Sequence, residues 1–341
     1  MIYFDSDYMA GAHPNVMQRL VETNLEHTVG YGCDHYTERA VQLIREACDA
    51  PHAQVALLVG GTQTNATVID GILARHEGVL APESAHINVH EAGAIEATGH
   101  KVLTLPQHDG KVWAEEVENY INEFYRDETF LHMVAPGMLY ISFPTEYGTV
   151  YTLNELEALS QVCRDAQIPL YIDGARLGYG LAAEGGDVTL KDIARLADVF
   201  YIGGTKMGAL MGEAVVVTNP SLLKNMTPLI KQHGALLAKG RLLGLQFSAL
   251  FSNHLYMNIG RYAVELAMTL KDEFFARGYD IVVDSPTNQQ FFRLPNDLID
   301  RLKQHASFEL WGPPGKTHSI VRFVTSWSTS YADINRLVEL I

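Results

Sequence analysis

The chain has 341 residues, 47% of them hydrophobic and 19% charged, which is enough apolar material for one large core plus a smaller second unit and excludes a disordered or fibrous protein. With 40 acidic against 25 basic residues the formal charge is -15, a field that repels nucleic acid and anionic membrane surfaces, so neither is expected as a partner. The three cysteines, Cys33, Cys48 and Cys163, are odd in number and widely spaced, which points away from a disulfide framework or a structural zinc site and toward a reducing cytoplasm.

The N-terminal run Met1-Ile-Tyr-Phe-Asp-Ser-Asp7 is acidic and lacks the basic and apolar regions of a signal peptide. No apolar run approaches the about 20 residues of a membrane span. Residues 1–36 contain Gly11, Pro14, Gly30 and Gly32 and are expected as an extended arm with one short helix, Pro14 to Glu22. From Thr37 onward amphipathic stretches alternate with short apolar runs, the signature of β-α-β units feeding a mostly parallel sheet. Strands are expected at Val55–Val59, Gly78–Ala81, Lys101–Leu105, Met138–Ser142, Leu170–Ile172, Val199–Ile202 and Ala214–Val217. Gly60-Gly61 breaks the first, and Thr62 reads as the N-cap of the helix that follows. Leu153, Leu156, Leu159 and Val162 recur at helical spacing between the strands ending at Ser142 and Asp173, which completes one crossover. After Pro228 a long helical region is expected through Leu270, then a strand in Gly278–Val283. The expected division is an arm (residues 1–36) contributing to the small domain and the active site, a large cofactor-binding domain (37–245) and a small α/β domain (246–341).

Two strand ends carry the chemistry. Tyr171-Ile-Asp-Gly-Ala-Arg176 ends an apolar strand in an acid, and Phe200-Tyr-Ile-Gly-Gly-Thr-Lys206 ends another in a lysine among glycines. Neighbouring strand ends of a parallel sheet are where ligands sit. A carboxylate that pairs with a protonated ring nitrogen, beside an amine that condenses with an aldehyde, is the minimum equipment for pyridoxal phosphate chemistry. The plainer readings are a solvated lysine on a turn and, for Asp173, a helix N-cap. Arg176 lies within reach of the cofactor's phenolic oxygen or a substrate carboxylate. Gly60-Gly-Thr-Gln-Thr64 joins a strand to a helix N-terminus, where free N–H groups favour a phosphate, although it is neither a Walker loop nor a dinucleotide fingerprint. His86 suits stacking on the pyridine ring. His86 and His90, with Glu91 beside them, also read as a metal pair without a third ligand, the basis of an alternative non-catalytic or metal-binding α/β protein.

Asp173-Gly-Ala-Arg176, the Lys206 turn, Gly61-Thr-Gln-Thr64 and Ala85-His86 through Glu91-Ala-Gly93 together resemble the low-specificity L-threonine aldolases. The resemblance runs from Ser6-Asp7 through Tyr31-Gly32 to Ile320-Val-Arg-Phe-Val-Thr325. It implies the aspartate-aminotransferase-like fold type I of pyridoxal enzymes, a group that also holds β-eliminating lyases. It further implies that Lys206 binds the cofactor covalently, Asp173 holds its ring nitrogen, His86 stacks on the ring, and Gly61 and Thr62 bind its phosphate, with Gln63 and Thr205 in the same cofactor-binding set. Ser6, Arg176 and Arg322 would orient the substrate carboxylate, and Tyr31 would belong to the loop closing the site. The site would lie at a subunit boundary with Lys231 and Lys239 reaching a partner's phosphate, in a homodimer at least and a tetramer by extension. The implied reaction is retro-aldol cleavage of L-threonine or L-allo-threonine to glycine and an aldehyde; β-elimination from another amino acid is the competing reading. Where many of these aldolases carry Glu-Asn-Thr-His, this chain has Phe143-Pro-Thr-Glu146, so Glu146 stands where a histidine meets the substrate hydroxyl and is the candidate general base. No metal is expected.

Overall fold

A computed structural model describes all 341 residues. Its large sheet has seven strands, in spatial order Gln54–Leu58, Glu213–Val217, Val199–Gly203, Leu170–Asp173, Ala135–Ser142, Glu77–Pro82 and Val102–Leu105. All run parallel except Glu213–Val217, which is antiparallel to both neighbours. Each expected strand forms, within one to three residues of the boundaries read from sequence. The apolar runs are continuous because both faces of the sheet are covered. Leu139, Ile141, Leu170, Ile172, Phe200 and Ile202 belong to one core cluster. The alternate residues Met138, Tyr140, Tyr171, Val199 and Tyr201 belong to the cluster on the opposite face.

A second, antiparallel sheet orders Glu309–Leu310, His318–Val324, Gln289–Pro295 and Asp280–Val283. The N-terminus joins this end of the molecule: Ile2–Tyr3 pairs with Ala306–Ser307, and Phe4 packs edge-on against Phe323 with ring centroids 5.9 Å apart. Residues 5–8 are thereby carried from the small sheet toward the large one. The expected helix Pro14–Glu22 forms within the same bounds, capped by the His13 ring, which accepts from the Asn15 amide at 3.2 Å.

Two expectations need correction. The long helical region after Pro228 is three helices, Met226–Gln232, Arg241–Leu250 and Leu255–Ala276. Left-handed backbone at Gly234, Asn253 and His254 separates them, a conformation that interrupts any helix. The helix after the first strand spans Gly61–Ile72 with Gly60, not Thr62, at its N-cap and without a side-chain cap. Residue 246 lies inside Arg241–Leu250, whose Phe247 and Leu250 pack into the large core. The next helix is shared, with Tyr256, Ile259, Ala263 and Val264 in the large core and Leu266, Leu270 and Phe274 in the small one. We therefore propose that the two units divide within that helix, between Val264 and Leu266. No helix is long and apolar enough to cross a membrane.

Candidate active site

Asp173 ends its strand 4% exposed, on the sheet face that carries Tyr140, Tyr171 and Tyr201. Buried phenols need partners, and Tyr140 donates to Asp173 Oδ2 at 2.6 Å. Asn65, on the Gly61–Ile72 helix covering this face, donates to the same oxygen at 3.1 Å and accepts from Tyr171 at 2.7 Å. The other carboxylate oxygen accepts the Ala175 amide at 2.9 Å and closes the turn after the strand. Asp173 thus serves the local turn with one oxygen and the pocket with the other; the helix N-cap is Arg176, not Asp173.

Asn65 also donates to Glu91 Oε1 at 2.8 Å, and the Nδ1 of His86 donates to that oxygen at 2.7 Å. Asp173, Asn65, Glu91 and His86 therefore form one continuous hydrogen-bonded chain. Burial would depress the His86 pKa, but the bond to Glu91 and the charges of Asp173 and Glu91 raise it. His86 opens a helix of only four residues, His86–Val89, and His90 caps its end with the two rings 5.7 Å apart. No group of three or more His, Cys, Asp or Glu is arranged to hold a metal ion.

Glu146 Oε1 accepts the His86 backbone amide at 3.0 Å and the Ser142 hydroxyl at 2.7 Å. Its Oε2 is buried without a partner. Burial pushes the Glu146 pKa up, and Asp173 adds to the shift.

Lys206 sits on a single 3-10 turn, Thr205–Met207, past the end of Val199–Gly203. The turn is held from behind, since Tyr179 donates to the Lys206 carbonyl at 2.6 Å. The amine lies 5.9 Å from the centre of the Tyr8 ring. Burial lowers the Lys206 pKa and Arg176 lowers it further, against Asp7, Glu213 and Asp173. The Thr205 hydroxyl is turned from the pocket, donating to Glu213 Oε1 at 2.9 Å and accepting the Gly212 amide at 3.0 Å.

Arg176 lines the pocket, with its fork filled by Asp7 through Nε to Oδ2 at 2.8 Å and Nη2 to Oδ1 at 3.1 Å. Ser6 stands behind this pair, its hydroxyl 3.5 Å from Asp7 Oδ1. Arg322 reaches the site from the small sheet: Nη1 donates to Gln289 at 2.9 Å, Nη2 pairs with Glu309, and Nε is buried without a partner.

Gly61 borders the pocket where an added Cβ would lie 3.2 Å from the Tyr201 hydroxyl, so the backbone approaches the site without a side chain in the way. The first helical bond there runs from the Thr64 amide to the Gly60 carbonyl, so the amides before Thr64 lie at the open, electropositive end of the helix. The Gln63 side chain bonds backbone instead, donating to the His233 carbonyl at 3.1 Å. Tyr31, Lys231 and Lys239 do not join this pocket. Tyr31 is 51% exposed, in left-handed backbone, with Lys231 Nζ 4.9 Å from its ring centre.

The inner cleft, lined by Gly61, His86, Asp173 and Lys206, opens into a chamber of about 310 Å³ bounded by Tyr8, His90, Trp311 and Arg322. His86, Glu146, Arg176 and Lys206 border both. Asn65, Asp7, Tyr8 and Glu213 are not singled out by the sequence, although Asp7 lies inside a stretch that carries the resemblance; Glu91, which the sequence sets beside the His86/His90 pair, holds the His86 ring instead of a metal.

Pyridoxal phosphate fits these residues: an amine without a hydrogen-bond partner, a buried carboxylate facing the same space, a ring available for stacking and a helix N-terminus for a phosphate. Residues 4–290 match the β-eliminating lyase family. A threonine aldolase structure from Leishmania major is 41% identical, with a TM-score of 0.97 over 100% of this chain and 98% of that one. The low-specificity L-threonine aldolase of Pseudomonas aeruginosa is 27% identical over 99% of this chain and 95% of its own length. Aspartate aminotransferase from Thermus thermophilus, at 15% identity, shares the fold with a TM-score of 0.73 over 100% of this chain and 90% of that one.

Proposed function

The chain belongs to the β-eliminating lyase family, and from that premise we infer a pyridoxal phosphate-dependent lyase of the threonine aldolase type, which cleaves the Cα–Cβ bond of L-threonine and related β-hydroxy-α-amino acids to glycine and an aldehyde. The observation that carries this reading is Glu146, a buried carboxylate in the cleft with one oxygen anchored by His86 and Ser142 and the other unpartnered. Aldol cleavage requires a base at the β-hydroxyl, and that free oxygen supplies it.

The cofactor, when bound, supplies an electron sink for the pair released from the breaking bond. Lys206 would attach it, Asp173 would hold its ring nitrogen, His86 would cover the ring face, and Gly61 and Thr62 would receive its phosphate. Arg322 receives the substrate carboxylate, with Arg176 and Ser6 beside it, and Glu146 takes the β-hydroxyl proton. Asn65 keeps Asp173 and Glu91 in place, and Glu91 orients the His86 ring. Glu146 acts as base when ionised, so its raised pKa puts loss of activity on the acid side.

We further propose a homo-oligomer, a dimer at least and a tetramer by extension, in which Tyr31, Lys231 and Lys239 complete a partner's site. The exposed Tyr31–Lys231 pair lying outside its own pocket supports this. The proposed compartment is the cytoplasm, supported by three free cysteines.

The function is tested by supplying the holoenzyme with L-threonine, L-allo-threonine and L-cysteine in parallel. Acetaldehyde from the first two is expected, and pyruvate from cysteine without acetaldehyde from either threonine would make the protein a β-eliminating enzyme instead.

A further inference from the structure

Glu213 has no place in the chemistry described so far, yet it is a buried acid bonded to the turn that presents Lys206. It opens the antiparallel strand Glu213–Val217, and its register partner is Gly203, the last residue of the strand that leads to Lys206. It is 4% exposed. Its Oε2 accepts the Gly204 amide at 3.0 Å and its Oε1 the Thr205 hydroxyl at 2.9 Å. No arginine or lysine hydrogen-bonds to it. A buried carboxylate without a paired cation costs free energy that neutral donors only partly offset, and such groups persist where a site needs them.

The nearest need is the Lys206 amine. The groups facing that amine are Arg176, which opposes its protonation, Asp7, Glu213 and Asp173, which favour it, and the His86 ring and Tyr8 phenol that border the same chamber, the Lys206 charge opposing protonation of His86. Asp7 is already matched by the two-point contact with Arg176, and Asp173 is turned to Tyr140 and Asn65. Glu213 is the acid of the three that is bonded to the Lys206 turn itself. We propose that Glu213 is a positioning residue for Lys206: its carboxylate ties down the Gly204–Thr205 backbone that presents the lysine and supplies the counter-charge that keeps the lysine nitrogen protonated once the cofactor is attached. Burial drives the Glu213 pKa up to about 7 while Lys206 pulls it back, so near neutrality the charge on the acid depends on the charge on the lysine nitrogen. This rests on Lys206 being the point of cofactor attachment.

Glu213→Gln separates the two parts of the role. The amide oxygen still accepts from Gly204, and its NH2 can donate to the Thr205 oxygen, so the turn keeps its ties while the negative charge is lost. The experiment follows the visible absorbance of the holoenzyme against pH. In Glu213→Gln the midpoint of that titration falls by about one pH unit, because the protonated nitrogen has lost an opposite charge, while the thermal unfolding midpoint is kept or raised. An unmoved absorbance midpoint in a folded Glu213→Gln protein overturns the proposal and leaves the acid a purely structural feature. Should Glu213→Gln not fold, Glu213→Ser gives the same absorbance readout with the same two outcomes. Lys206→Ala is measured alongside: a visible band that survives there and that borohydride bleaches, fixing the cofactor to the chain, places the attachment elsewhere and removes the premise, whereas an unmoved midpoint in Glu213→Gln with the band lost in Lys206→Ala refutes the role of Glu213 alone.

Discussion

Asp7 meets Arg176 in a two-point ion pair, Nε to Oδ2 at 2.8 Å and Nη2 to Oδ1 at 3.1 Å, with the Asp7 side chain wholly buried. Asp7 reaches it from the N-terminal arm, held also by Asn288 of the small unit at 3.0 Å. The pair therefore joins three parts of the chain. It also occupies the guanidinium face that a bidentate carboxylate would use, whereas Arg322 retains a buried, unpartnered Nε.

Breaking that pair is costly. Asp7→Asn leaves the Arg176 charge buried and unmatched and is expected to destabilise the fold by about 3 kcal/mol at neutral pH. Burial opposes ionisation of Asp7, but the Arg176 and Lys206 charges hold its pKa below the ordinary 3.8. A depressed acid contributes stability that is complete above its unfolded pKa and lost as pH falls through the folded one. The gap between wild type and Asp7→Asn in urea unfolding should thus close as the pH drops below 3.8. A constant gap would mean that the charge is not what matters.

Arg322 is expected to govern affinity more than turnover. Arg322→Ala should raise KM for L-threonine by roughly 10- to 100-fold, the worth of a charge-assisted hydrogen bond, with a much smaller fall in kcat. Steady-state kinetics on Arg322→Ala and Arg176→Ala decide it; a KM effect confined to Arg176→Ala would move the carboxylate site there.

Glu146→Gln should lower kcat by about 100- to 10,000-fold, the range for loss of a general base, while amino-acid binding, followed by the change in visible absorbance, is retained. In the wild type kcat/KM should fall on the acid side as pH drops through the raised Glu146 pKa, and that limb should vanish from the residual activity of Glu146→Gln. Equal activity of the two proteins would remove Glu146 from the reaction.

Gly174 follows Asp173 because a side chain does not fit there: an added Cβ would lie 1.9 Å from the Tyr201 carbonyl oxygen on the next strand. That oxygen is backbone and cannot rotate away. Gly174→Ala should cost more than about 4 kcal/mol and give little folded protein; a normal unfolding midpoint for the soluble variant would show that the strands can part without penalty.

The large sheet was legible because a strand covered on both faces is a continuous apolar run, and six of the seven contain one, Val102–Leu105 being broken by the exposed Thr104. Asp173 and Lys206 were legible for a related reason, as charges that end such runs. The helical region after Pro228 does not read as three helices from sequence, since its breaks are left-handed turns not only at Gly234 but at Asn253 and His254, residues that favour that conformation far less strongly than glycine. The partners that complete the site were hidden by distance along the chain. Asn65 is 108 residues from Asp173 and Asp7 is 169 from Arg176, so only the folded chain juxtaposes them. Glu213 carries no sequence signal beyond being the polar start of an otherwise apolar strand.

The central claim, that this chain breaks the Cα–Cβ bond of a β-hydroxy amino acid, is tested most directly by a product balance on L-threonine alone. Wild-type holoenzyme should release glycine and acetaldehyde in equal amounts, without ammonia. Formation of 2-oxobutyrate and ammonia in place of glycine and acetaldehyde would contradict the account, because those products require loss of the β-hydroxyl with the carbon–carbon bond intact.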